Sequence, residues 1–215
     1  ACLVVQFTIG FLFAMFFSKK FTLAGPIRGL VLVGYMMPMS VTALLGKNLF
    51  LLDGGVINDL LMKVHLISSP IDWLVNGGTA LGAVIAVNCW VGIPFNMLLL
   101  TSGLTGISTD IYESASMDGA NAFKRFIYIT LPLMKPAMLS VLMLGFIYTF
   151  KAFDLMYIMT AGGPFNSTDV LGTYAYSKAF TQYEFSQGSA IAMVLFACLF
   201  LVGIFYLKLL SKEDD

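Results

Sequence analysis

The run GTALGAVIAVNCWVGIPFNMLLLTSGL, from Gly78 to Leu104, holds no charged residue. A helix needs about 20 consecutive apolar residues to cross the hydrocarbon core of a bilayer, where every backbone polar group must find its partner inside the structure. Four further uncharged or nearly uncharged runs approach or meet that length: Ala1 to Phe17, Gly29 to Leu45, Pro136 to Phe150 continued through Met159, and Phe185 to Leu207. The expectation is an all-α, polytopic membrane helical bundle with five spans, forming one transmembrane domain over residues 1–215.

Composition points the same way. Of 215 residues, 59% are apolar and 11% charged, against roughly 25% charged in an ordinary soluble domain. Lys+Arg and Asp+Glu number 12 each, so no net field exists to attract nucleic acid. Cys2, Cys89 and Cys198 lie in apolar runs without CxxC or Cys/His spacing, and His65 is the one histidine, so neither a metal site nor a histidine relay is expected. The chain begins at Ala1 inside an apolar run, without an initiator Met or a signal-peptide pattern, and is read as a truncation.

Charge placement orients the spans. Lys19, Lys20, Arg28, Lys124, Arg125, Lys135, Lys208 and Lys212 fall in alternate loops and the tail, against Lys47, Lys63 and Lys178 in the others. The positive-inside bias puts the first set in the cytoplasm, with the N-terminus outside and the C-terminus inside. The outer segment from Gly46 to Gly77 reads as turns around a short helix, Val56 to Val64. The outer segment from Gly162 to Gln187 opens on a Gly-Gly-Pro turn, with Asp169 as an expected helix N-cap. Its dense aromatics, Tyr174, Tyr176, Phe180, Tyr183 and Phe185, suit either an interfacial belt or a contact surface for an external partner.

The cytoplasmic stretch from Gly106 to Lys135 is too long for a plain turn and lacks the charge runs of a disordered tail. Asp110 three residues before Glu113 forms a capping-box pattern that predicts a helix from Ile111, with Ala115 and Gly119 as its small face. Gly119 marks a bend, and Ala120, Phe123, Ile127 and Leu131 then share one stripe. Pro132 is expected to close that second helix and Pro136 to begin the next span.

The run Glu113-Ser114-Ala115-Ser116-Met117-Asp118-Gly119-Ala120, followed by Phe126, Ile129, Leu131 and Pro132, resembles the EAA loop of binding-protein-dependent ABC importer permeases. Asn88-Cys89-Trp90-Val91-Gly92-Ile93-Pro94-Phe95, Phe153-Asp154-Leu155 and Thr160-Ala161-Gly162-Gly163-Pro164 narrow the resemblance to the sugar-permease branch of maltose and glycerol-phosphate type. It covers essentially the whole chain, and Ser114 replaces the motif's usual first alanine. The resemblance implies a type I importer permease core that pairs with a homologous permease, two ATPase subunits and an external sugar-binding protein. It also implies that Glu113, Ser114, Ala115, Asp118, Gly119 and Ala120 couple the spans to the ATPase. No GxxxxGK[ST] loop occurs, so ATP and Mg would be held by the partner subunits, with no cofactor and no catalytic residue in this chain.

Polar groups inside spans are costly unless they face a cavity or a partner. The family resemblance carries Asn88, Gly92 and Phe95 over as sugar contacts, and Trp90 offers either a stacking platform or packing. Tyr148, Lys151 and Asp154 recur at intervals of three and are expected on one helix face. Lys151 and Asp154 then have two readings, an intrahelical pair near the outer interface or a ligand role in which Lys151 meets an acidic substrate group. An ion-coupled secondary carrier using those two residues is the rival mechanism. A metal-dependent headgroup transferase is excluded, because the Arg and later Asp residues it needs are absent after Ala122.

Overall fold

The computed structural model describes residues 1–19 and 22–211, so the basic residues Lys20 and Lys212 lie outside the described part. Its described secondary structure is helical throughout. Helix α1 spans Cys2–Phe17, α2 Ala24–Met36, α3 Met39–Leu49, α4 Val56–Lys63 and α5 Gly77–Thr105. Helix α6 spans Thr109–Met117, α7 Ala122–Phe150, α8 Asp154–Thr160, α9 Leu171–Tyr176 and α10 Phe185–Ser211.

Three described helices, α5, α7 and α10, are each long and apolar enough to cross a membrane. The run expected as one span from Gly29 to Leu45 is broken instead, with α2 and α3 meeting at 96°. Pro38 is the cause: its ring forbids helical continuation from Met37, and its own ψ of 138° places it as the N-cap of α3. Helix α1 is apolar but only 16 residues long.

The run expected from Pro136 through Met159 is also rearranged. Helix α7 starts at Ala122, a turn past Gly119, and runs unbroken to Phe150 with both Pro132 and Pro136 inside it. A π turn over Phe126–Thr130, closed by Leu131 N–H donating to Phe126 O, widens the helix just ahead of Pro132. The chain then leaves the helix at Lys151 and re-enters at Asp154 as α8.

The chain divides into two compact units. The first comprises Ala1–Tyr35, Val91–Ile147 and Val202–Asp215. Its core holds Ala14, Leu100, Met134 and Val141, with Phe7, Phe11, Ile107 and Ala137 packed on them. Close approach depends on Gly10, where a Cβ would stand 2.6 Å from Cβ of Asn96 and 3.1 Å from the Met97 backbone nitrogen. Tyr206 donates to Ser140 Oγ at 2.7 Å and ties the end of α10 to α7.

The second unit comprises Met36–Trp90 and Tyr148–Leu201. Ala43, Phe50, Ala83, Val84, Val87, Leu155, Met156 and Met159 form its core. Buried Asn58 organises the segment between α3 and α5. Its Nδ2 donates to Leu51, Leu52 and Ile71 carbonyls at 3.1, 3.3 and 2.9 Å. Its Oδ1 accepts from Ile71 N–H at 3.1 Å and Trp73 Nε1–H at 2.9 Å. A side chain satisfied on every side fixes loop strands that have no ladder of their own.

Candidate functional site

The segment 106–135 lies within the first unit, and its geometry departs from expectation at one end. Helix α6 begins at Thr109, two residues before Ile111, because Ser108 rather than Asp110 is the N-cap and its side chain accepts from Asp110 N–H at 3.3 Å. Serine competes with aspartate on equal terms for that position, and Asp110 then sits in the first turn, where the helix dipole favours an acid.

The other end matches the expected bend. Gly119 has φ of +77°, Ala120 N–H donates to Ala115 O at 2.9 Å, and Gly119 N–H donates to Ser116 O at 3.1 Å. That pair of bonds is the Schellman termination, which requires a residue in the left-handed region. No atom lies within 4 Å of a Cβ placed on Gly119, so the glycine is demanded by backbone angle and not by crowding. Asn121 then caps α7, accepting from Lys124 N–H at 2.9 Å.

Glu113, Ser114, Asp118 and Gly119 are exposed, while Ala115 and Ala120 are half-buried. The apolar side chains around them are uncovered: Met117 is 90% exposed, Phe123 72% and Tyr128 75%. Phe123, expected on the same stripe as Ile127 and Leu131, therefore points away from the half-buried pair. A corner of two helices that presents acids beside bare methionine and phenylalanine has the makeup of a protein contact surface.

Side chains also join the two arms of this corner. Tyr112 Oη lies 2.9 Å from Thr130 Oγ1, and Arg125 Nη1 donates to Ser116 Oγ at 2.8 Å. Ser116 Oγ donates in turn to Tyr112 O at 2.7 Å, and Thr130 Oγ1 to Arg125 O at 3.4 Å.

The expected substrate residues are distributed over both units. In the second, Asn88 is buried on α5 and Trp90 is 64% exposed. Trp90 lines a cavity of about 360 Å³ with Thr42, Leu45, Gly46, Phe50 and Val87. The Thr42 hydroxyl there is engaged with Pro38 O at 3.2 Å. In the first unit, Gly92 abuts the amide of Gln6, and the Phe95 ring packs 5.6 Å from Tyr35.

Gly92 and Pro94 do not break this helix, and α5 continues through Pro94. Asn96 Nδ2 donates to Gly92 O at 2.7 Å across that turn. Asn96 is wholly buried, and its Oδ1 has no hydrogen-bond partner among the described residues. Neither Gln6 nor Asn96 was singled out from the sequence, although each is a polar residue inside an apolar run, the criterion that selected Asn88.

Tyr148, Lys151 and Asp154 do not share a helix face. Tyr148 lies in the last turn of α7, Lys151 in the break, and Asp154 at the start of α8. Lys151 and Asp154 are both exposed, and among the described residues they form no ion pair with each other. The expected N-cap at Asp169 is displaced as well. Val170 is the cap of α9, and the Asp169 carboxylate accepts instead from the Thr173 hydroxyl.

Aromatic rings pack edge-on and tilted around Tyr176. Centroids of Tyr157 and Tyr176 stand 4.9 Å apart, and those of Tyr176 and Phe180 5.0 Å. Tyr176 and Phe180, with the small residues Gly172, Ala175 and Gly188, line a cleft of about 480 Å³.

Comparison with known proteins places this architecture. A probable ABC transporter permease protein of Brucella suis is 31% identical over 188 residues, covering 87% of this chain and 65% of the relative. The trehalose/maltose transport system permease protein MalF of Thermococcus litoralis is 32% identical over 200 residues, 93% of this chain and 67% of the relative. The sulfoquinovosyl glycerol transport system permease protein SmoG of Agrobacterium fabrum is 32% identical over 94% of this chain and 65% of the relative. The chain thus spans about two thirds of the length of these relatives.

A chain of a crystallised bacterial ABC transporter that imports the acidic polysaccharide alginate superposes with a TM-score of 0.86 at 18% identity. The match covers all of this chain and 78% of that one, and shows a shared fold. Residues 6–212 match the family described as the inner membrane component of binding-protein-dependent transport systems. With its spanning helices and its glycine-terminated corner helix, the chain belongs to that family and is a multi-pass membrane protein.

Proposed function

We propose that this chain is one permease half of an ATP-driven importer that carries a carbohydrate across the cytoplasmic membrane. The observation that carries the reading is the α6 corner: an exposed helix of EAA-type sequence, ended by Gly119 and leading directly into the spanning helix α7. Such a corner offers an ATPase subunit a surface to push, and α7 a route for the push. The partners are a homologous permease, two ATPase subunits that bind ATP and Mg, and a binding protein outside. The positive-inside count puts the 106–135 corner and the C-terminus in the cytoplasm and the start of the chain outside.

Substrate class follows from relatives whose names include trehalose, maltose and sulfoquinovosyl glycerol, and from the alginate transporter, whose structure includes a periplasmic protein loaded with alginate pentasaccharide. Asn88, Trp90, Gly92, Phe95, Tyr148, Lys151 and Asp154 are the proposed lining of the substrate path. Lys151 supports an acidic sugar, since it is exposed at a helix break beside a spanning helix and, among the described residues, has no carboxylate paired to it. The rival ion-coupled carrier needs Lys151 and Asp154 to relay a charge, and the break between α7 and α8 separates them.

Two experiments test this. Proteoliposomes holding the complete complex are expected to take up sugar only with ATP and the binding protein, and this chain alone is expected to take up none. Uptake by the isolated chain on an ion gradient would establish the rival. Lys151→Asn is expected to lower uptake of an acidic sugar about tenfold relative to a neutral one, the change that one charge-assisted hydrogen bond supports. Unchanged preference would remove Lys151 from the path.

A further inference from the structure

We infer that Tyr112, Ser116, Arg125 and Thr130 form a clamp that holds α6 rigidly against the root of α7, and that this clamp sets how much of a displacement of α6 reaches the membrane. The inference rests on the importer reading and adds to it residues whose part is to position the coupling helix without touching nucleotide or sugar.

The four residues make a closed circuit. Arg125 Nη1 donates to Ser116 Oγ, which donates to Tyr112 O. Thr130 Oγ1 donates to Arg125 O at 3.4 Å. A hydroxyl has one proton, so with it directed at Arg125 O the Thr130 oxygen accepts from Tyr112 Oη, 2.9 Å away. Two residues of α6 are thereby bonded to two of α7 across a connection of only Asp118–Asn121, 18 residues separating the outer pair. Thr130 is buried and the Tyr112 contact half-buried, so that bond is shielded from competing water, whereas the Ser116 contact is exposed.

The circuit also spans the π turn. Thr130 closes the Phe126–Thr130 segment, and its hydroxyl reaches the Arg125 carbonyl at the head of that segment. Without side-chain fastening, the bend at Gly119 would be held only by the two backbone bonds that end α6. With it, α6 and the first two turns of α7 move as one body, and α7 continues for 29 residues, about 43 Å at 1.5 Å per residue. Torque on α6 then turns the spanning helix instead of flexing the bend.

The readout is sugar transported per ATP hydrolysed in the complete complex reconstituted in liposomes. Tyr112→Phe removes one oxygen and is expected to lower this ratio about fivefold, the worth of one net hydrogen bond. Thr130→Val, which also deletes the bond to Arg125 O, is expected to lower it at least as much, and the double variant no more than Thr130→Val alone, because the Tyr112 bond is already gone. Thr130→Ser keeps the hydroxyl and is expected to retain the wild-type ratio. A merely structural role would lower the yield of assembled complex and leave the ratio of what assembles unchanged. An unchanged ratio in Tyr112→Phe, or additive losses in the double variant, overturns the clamp while the wild-type complex still couples. A wild-type complex with no ATP-driven uptake overturns the importer reading, and the clamp falls with it.

Discussion

Replacing Gly119 by proline is expected to abolish ATP-driven uptake by the reconstituted complex. Proline holds φ near −65°, and Gly119 sits at +77°, so the left-handed turn that ends α6 cannot form. The substitution also removes the N–H that donates to Ser116 O at 3.1 Å, and it drives Asp118 from the near-helical angles that position it as the C-cap. The combined cost is about 3 kcal/mol or more, a factor of on the order of 100 in the population of the coupled geometry. Gly119→Asn is the matched control. Asparagine tolerates the left-handed region and open space surrounds the position, so this variant is expected to keep most of the uptake. Unaltered uptake in Gly119→Pro, with assembly intact, would show that the corner does not transmit force.

That bend was legible because its signal is local: a glycine after a helical pattern, free to take backbone angles denied to other residues. The start of the same helix was misplaced by two residues because Ser108 and Asp110 are both good caps and only the folded chain chooses between them. The break between α7 and α8 had no local signal. Lys151, Ala152 and Phe153 include neither proline nor glycine, and the interval of three among Tyr148, Lys151 and Asp154 implied one continuous face. Conversely, Pro132 and Pro136 signal boundaries in isolation, yet α7 passes through both after the π turn at Phe126–Thr130. Long-range partners were invisible for a further reason. Tyr112 and Thr130, or Asn58 and Trp73, are paired by the fold and by no spacing rule. Membrane class and family were legible because they rest on uncharged runs and on a motif in fixed order, which survive errors at individual helix ends.

Gly10→Val is expected to destabilise the first unit strongly, independent of any transport mechanism. Helices α1 and α5 meet there with backbone nearly against backbone. A Cβ on residue 10 would stand 2.6 Å from Cβ of Asn96, 3.1 Å from the Met97 nitrogen and 3.2 Å from the Ile93 carbonyl oxygen. None of those atoms is the tip of a flexible side chain, so the helices themselves must separate. In a membrane, helix association depends on such small-residue contacts, because lipid tails are as apolar as the side chains they would replace. Separation would also loosen the surroundings of buried Asn96, whose Nδ2 bond to Gly92 O crosses the Pro94 turn of α5. The expected cost is about 3 kcal/mol, read as a fall of about 10 °C in the thermal midpoint of the purified complex in detergent. Gly25→Val in α2, where none of the described residues lies within 4 Å of the added carbon, is expected to leave that midpoint in place. Equal stability of the two variants would mean that α1 does not pack on α5 through Gly10.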